Sequence, residues 1–190
     1  MIKVLFYLIV FSIIPVLNQG ELILLKEYDN TAQNITSDQL GNLYLINHSQ
    51  ILKIDQNEKI IRYSNNLFGD ISVIDVSDPF KILIFNKDFN KIQFLDQNLA
   101  PISDPVILDE KAYYNVASVC HSSNGGFWLF DQSLYQMVHF DTNLNHTQKS
   151  SQIDELINTD EELKGIFMLE KNDYIYLGIE KQGVLLFDNY

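Results

Sequence analysis

The sequence predicts an all-β chain built from repeated four-stranded antiparallel units, and three observations carry that prediction. A corner phrase returns along the chain: an apolar run ends in Asp, then a polar residue and Asn follow, as in KIDQN, FLDQN and FDTN. With the Asp of the terminal LLFDNY, the anchors are Asp55, Asp96, Asp141 and Asp188, at intervals of 41, 45 and 47 residues. Two strand-like runs joined by a short polar link precede every anchor, which is the pattern of a hairpin. The composition agrees: 46% of residues are hydrophobic, with 12 Phe and 10 Tyr against one Trp. Such a chain can bury a core, and aromatic and β-branched side chains suit a pleated surface.

The elements follow in order. ELILLKEYDN (21–30) reads as an extra outer strand. The first unit, near 31–65, has NITSDQLG, NLYLIN, QILKID and KIIRYS. The second, near 66–109, has ISVIDVSDP, FKILIFN, KIQFLD and PISDPVIL. The third, near 110–164, has VASVCHSSNGG, GFWLFD, YQMVHFD and a weaker HTQKSSQI. Its segment 151–165, with Ile153, Leu156, Ile157 and Leu163 among acids, reads as a short helical insertion. The fourth, near 165–190, has GIFMLEKND, DYIYLGI and GVLLFD, and stops after its third strand. Four short strands per 40–45 residues is the unit of a β-propeller blade, so about four blades are visible. A strand at 21–30 could complete the last blade and close a ring of four. The apolar ending LLFDNY favours instead a longer propeller that continues past Tyr190.

The strand endings of apolar-aromatic-Asp type and the second strands of Gly/Asp-x-aromatic-x-Leu type resemble NHL and TolB-like propeller repeats of the six-bladed type. The likeness spans residues 35–190. The stretch FKILIFNKDFNKIQFLDQNL (80–99) is similar to uncharacterised exported propeller-like proteins of Bacteroidetes-type bacteria. The resemblance implies architecture and no particular activity. A WD40 signature is missing, because no Trp precedes the anchor Asp residues.

Residues 1–20 read as a signal peptide or N-terminal anchor. A single Lys3 precedes the apolar run VLFYLIVFSIIPVL (4–17), which is shorter than the roughly 20 residues a spanning helix needs. The expected location is therefore the periplasm, outer envelope or exterior, with membrane contact only through this segment. A net charge of −12 without any Lys/Arg cluster excludes nucleic acid as a partner. Cys120 is the single cysteine, so the chain holds no internal disulfide. It reads as a small core hydrophobe, since His121 next to it on a strand points to the opposite face.

First strands line the channel of a propeller, and their ends form one mouth. That geometry nominates Asp38, Asp75, Asp78, His121, Asn124, Glu170 and Asp173 as mouth residues. Converging carboxylates could hold calcium, the one cofactor the sequence allows. The anchors themselves lack the oxygen ligands of a calcium loop, because Leu99 and Ala100 stand where ligands would be needed. They read as turn corners, where Asp and Asn bond to backbone two residues on. The four histidines His48, His121, His139 and His146 show no zinc spacing. The resulting expectation is a non-catalytic binding or scaffold module for a protein or glycan partner. The alternative is a calcium-dependent propeller hydrolase or lactonase.

Overall fold

The computed structural model describes residues 22–28, 31–160 and 162–189. The chain divides into two compact units, residues 1–30 and 31–190. In the first unit, residues 22–28 form no strand, and Leu22 to Leu25 are exposed. The outer strand expected at 21–30 is therefore not formed over its described part. An apolar run becomes a strand only when a neighbouring edge takes its backbone hydrogen bonds. The signal or anchor expected at 1–20 lies outside the described residues.

The second unit consists of four antiparallel sheets, each built from consecutive strands. Blade 1 has β1 (Asn34–Ser37), β2 (Leu43–Asn47), β3 (Gln50–Ile54) and β4 (Ile60–Ser64). Blade 2 has β5 (Val73–Asp75), β6 (Ile82–Asn86), β7 (Lys91–Leu95) and β8 (Val106–Ile107). Blade 3 has β9 (Val116–His121), β10 (Phe127–Asp131), β11 (Gln136–Phe140) and β12 (His146–Lys149). Blade 4 has β13 (Phe167–Lys171), β14 (Tyr174–Ile179) and β15 (Gly183–Asp188). Every strand coincides with a segment read from the sequence, because turn residues mark each boundary.

Three of the four anchors make the same corner. Asp55 Oδ1 accepts the backbone N–H groups of Asn57 at 2.8 Å and Lys59 at 2.9 Å. Asp96 does so from Asn98 and Ala100, at 2.8 and 2.9 Å. Asp141 does so from Asn143 and Asn145, both at 2.8 Å. The fourth residue of each loop is left-handed: Glu58, Leu99 and Leu144 have φ of 65°, 62° and 62°. The N–H of that residue donates to the carbonyl of the anchor Asp, at 2.9, 2.9 and 3.0 Å, closing a tight hairpin corner. Asp38 caps a fourth copy, accepting Leu40 and Asn42 N–H, and there Gly41 supplies the positive φ of 77°. Asp188, the fourth anchor, is the last residue of β15, opposite Tyr174.

The core lies between consecutive blades. Tyr44, Ile46, Ile51 and Tyr63 of blade 1 meet Ile82, Ile84 and Leu95 of blade 2. Leu83, Phe85, Ile92 and Phe94 meet Val119, Phe127, Leu129 and Phe140 of blade 3. Cys120, Trp128, Phe130 and Met137 then meet Met168, Ile175, Leu177 and Ile179 of blade 4. Alternate residues of the strands in blades 2 and 3 thus serve two different interfaces.

The helical insertion expected at 151–165 is not formed. Only Asp154–Leu156 makes a 3-10 turn, and Ile157 returns to extended backbone. Ile153 and Leu163 are 1% and 5% exposed and enter the core between blades 3 and 4, while Leu156 is 63% exposed. The apolar spacing reflected two separate anchor points, and Ile153 N–H is taken by Tyr135 O at 3.0 Å.

Candidate binding cleft at the loop face

The ends of β5, β9 and β13 bring several of the nominated mouth residues to one cleft of about 470 Å³. Its walls include Asp78, Lys81, His121, Ser122, Ser123 and Glu170. Asp75 reaches across from blade 2: its Oδ2 accepts the His121 N–H at 2.8 Å, and its Oδ1 accepts Ser77 N–H at 2.9 Å. Glu170 reaches across from blade 4. Its Oε2 accepts the Trp128 indole N–H at 2.8 Å, and its Oε1 accepts Ser123 N–H and Asn189 Nδ2, each at 3.0 Å. The Ser123 hydroxyl also donates to Oε1. These two carboxylates act as straps between blades, each replacing water by N–H and O–H donors of the neighbouring sheet.

The remaining wall is mixed in character. Lys81 Nζ sits 4.4 Å above the Phe94 ring, a cation–π contact, and Phe94 lies 6.0 Å from the His121 ring. His121 is buried, and its Nε2, itself buried, has no hydrogen-bond partner among the described residues. Gly126 closes the floor of the loop between β9 and β10. A Cβ there would lie 1.8 Å from Phe140 O, and φ is 80°, so only glycine fits. Asp78 Oδ1 accepts Phe80 N–H at 2.9 Å, and Asn124 donates its N–H to Ser122 Oγ at 3.3 Å without lining the cleft.

Asp38 and Asp173 are not among the residues lining this cleft. Asp38, at the corner of blade 1, also accepts Asn42 Nδ2 at 2.7 Å and the Tyr44 hydroxyl at 2.8 Å. Burial alone would raise its pKa, but the bonds from Asn42, Tyr44 and Leu40 together outweigh burial and hold it below the usual carboxylate value. The same burial, with the Asp38 bond, pushes the Tyr44 phenol well up. Asp173 occupies the turn between β13 and β14 with φ of 64°, and its carbonyl accepts Asn189 N–H at 3.0 Å.

No group of three or more His, Cys, Asp or Glu among the described residues is arranged to hold a metal ion. Cys120 is fully buried; burial, aided by the charges of Asp75 and Glu170, pushes its thiol well above the ordinary value. A protonated thiol in a packed sheet is no nucleophile. What the cleft offers is a polar surface with one cation, Lys81, the exposed carboxylate of Asp78, and serine and threonine side chains.

Sequence reasoning missed Trp128, Ser123, Lys81 and Lys53. Trp128 carried a signal, since a buried indole N–H requires an acceptor, but no pattern could name Glu170 as that acceptor. Lys53, charged within an apolar strand, is another: it is buried and donates to Gln97 O at 2.8 Å, tying blade 1 to blade 2. Burial holds its ammonium pKa below the ordinary lysine value.

No protein-family model matches the chain, and no curated protein matches its sequence. Similarity is found among solved structures. Virginiamycin B lyase from Staphylococcus aureus matches with a TM-score of 0.51 at 12% identity, over 81% of this chain and 54% of the lyase. The computationally designed Ika4 protein matches at 0.55 and 8% identity, over 89% of this chain and 98% of that one. BBS1N, solved in complex with ARL6DN, matches at 0.53 and 6% identity, over 82% of this chain and 50% of BBS1N. The chain thus spans about half the length of the lyase. With four repeated antiparallel sheets, these likenesses define the class: the chain is an all-β protein with β-propeller blades, about four of them. The neighbours include an enzyme and a protein solved in a complex, so the fold alone selects neither role. The Bacteroidetes-type likeness of residues 80–99 finds no support among them.

Proposed function

We propose that the chain is a non-catalytic binding module, exported to the cell envelope by its N-terminal segment, that engages a protein or glycan through the loop face. One observation supports this reading most directly. Asp75 and Glu170 are already committed to protein donors, which leaves the Lys81 ammonium, the Ser77 hydroxyl and the exposed Asp78 carboxylate as the groups along the cleft that can meet a ligand. Hydrogen-bonding groups of this kind suit hydroxyl-rich sugars or a polar peptide loop. The ligand chemistry is tested by comparing the full chain with a Ser123→Arg variant, which fills the cleft, on immobilised envelope glycans and peptides. Binding that survives the arginine would refute the site.

The rival reading is a calcium-dependent hydrolase or lactonase using Asp38, Asp78 and Asp173. It is supported by the position of these acids at strand ends of the kind that form a mouth. The two readings separate on metal content. The binding-module reading expects no stoichiometric metal after purification, and a melting temperature that ignores calcium and EDTA. One equivalent of calcium with a melting temperature raised by it would favour the hydrolase.

A further inference from the structure

The turns after β1, β3 and β7 enclose a second cleft, of about 330 Å³, between the corners of blades 1 and 2. It shares no lining residue with the cleft at Lys81. Its walls are fixed from within. Asp38, Asp55 and Asp96 each take two backbone N–H groups of their own loop. Gln56 crosses between two of these corners and donates to Leu40 O at 2.7 Å. Gly41 leaves room for it, since a Cβ there would lie 2.6 Å from Gln56 Nε2. A cleft built before its ligand arrives loses less freedom on binding.

Lys53 is the unexpected residue in this cleft. It is 4% exposed, yet it is one of the lining residues. Two residues before its own anchor, blade 2 has the core residue Phe94, so the fold does not require a cation at this place. An ammonium carries three donors. That of Lys53 makes one hydrogen bond, to Gln97 O at 2.8 Å, and lies 5.4 Å from the centre of the Tyr44 ring. No carboxylate among the described residues forms an ion pair with it. A buried ammonium with donors to spare calls for acceptors beyond the chain.

The groups around Lys53 define those acceptors. Asn57, Gln97 and Asn98 are exposed along the cleft, and their side-chain amides have no hydrogen-bond partner among the described residues. An amide both donates and accepts, and so does a hydroxyl. Charge is close to balanced: Lys53 and Lys59 stand against Asp55 in the lining, and Asp38 and Asp96 act on Lys53 from close by. A charged ligand therefore gains little, while a neutral hydroxyl-rich one meets partners on every side. Leu40, 45% exposed, and the half-buried Ile61 offer an apolar patch for the C–H groups of a ring. The volume is at the low end for small-ligand sites, which suits a single ring. We propose that this cleft is a subsite for one uncharged hexose residue of a glycan. The proposal narrows the partner in the reading above to a glycan and adds a second contact, but it stands on this cleft's own groups.

The test is a titration of the full chain with the methyl glycosides of glucose, mannose and galactose, followed by NMR of the side-chain NH₂ groups. With no aromatic ring in the lining, at least one sugar is expected to shift the Asn57, Gln97 and Asn98 signals with a dissociation constant of about 1–10 mM. Gln97→Ala keeps the backbone oxygen that holds Lys53 and changes an exposed corner, so it should fold normally and weaken binding about threefold. Lys53→Met removes the ammonium from a stem of similar size and should weaken binding about tenfold. Melting curves show whether each variant is folded, and Gln97→Ala decides the matter if Lys53→Met is not. Ser123→Arg, which fills the other cleft, should leave the shifts unchanged. Absence of a saturable shift with all three sugars overturns the proposal, as does binding indifferent to Gln97→Ala. Tighter binding of glucuronate, or of a lysine-rich peptide, than of every neutral sugar overturns the uncharged class. Loss of the shifts in Ser123→Arg would place the sugar in the other cleft and overturn this one.

Discussion

Blades 3 and 4 share a pattern of short antiparallel strands, yet they are buried very differently. Every residue of β9 and β10 is buried, as are four of the five in β11. In blade 4, β13 alternates between exposed and covered positions, and β15 has no fully buried residue. The difference is not one of residue type, since VASVCH and GVLLFD are both apolar runs. Blade 3 is covered on both faces, by the blades before and after it, whereas the described residues cover blade 4 on one face only. Position in the array, and not strand propensity, sets how much each side chain contributes to stability.

That contrast can be broken or sharpened by experiment. The largest effect belongs to Phe127, fully buried between blades 2 and 3 and stacked on Phe140 with ring centroids 5.3 Å apart. Phe127→Ala should cost about 3–5 kcal/mol in urea denaturation, by lost burial plus the cavity left behind. Leu186→Ala on the open face should cost roughly 0.5 kcal/mol or less. Equal costs would abolish the distinction between the two blades.

Glu170 links the two regions, and Glu170→Ala should cost about 2 kcal/mol, because it leaves the buried Trp128 indole N–H without an acceptor. A matching change in tryptophan fluorescence should accompany the loss. Trp128→Phe in the Glu170→Ala background should recover part of the stability, since it removes the orphaned donor. No recovery would show that the strap matters by charge and not by this bond.

The smallest effect is acid-linked. The backbone N–H of Asn145 bonds to Asp141, and bonds from Asn145 Nδ2 and Asn143 N–H add to it, holding the carboxyl below the ordinary value. A depressed folded pKa contributes stability that is present above the unfolded pKa of about 3.9 and lost as pH falls through the folded value. Asp38 shares this sign. The melting temperature of Asp141→Asn should therefore lie below wild type at pH 7, with the gap closing below about pH 4. A gap that stays constant down to pH 2 would remove the linkage.

Much of this fold was legible before any coordinates. The Asp-x-Asn corners at Asp55, Asp96 and Asp141 are local chemistry, a carboxylate meeting N–H groups two and four residues on, so the sequence exposes them directly. Strand boundaries followed for the same reason. The segment 151–165 misled because its apolar residues are spaced like a helix face, while Ile153 and Leu163 are claimed separately by a core formed from distant sheets. Of the nominated mouth residues, Asp75, His121 and Glu170 do come together, but as inter-blade hydrogen bonds spanning 46 and 47 residues.

The sequence by itself determined the unit: four short strands, their corners and their order, all set by interactions within a few residues. Only the tertiary structure decided which face of each strand meets which blade, that Asp75 and Glu170 are straps, and that no described residue covers Phe167, Leu169, Val184 and Leu186. Alternation tells which residues share a face. What covers that face depends on a neighbouring sheet some 40 residues away, and no local pattern encodes that neighbour.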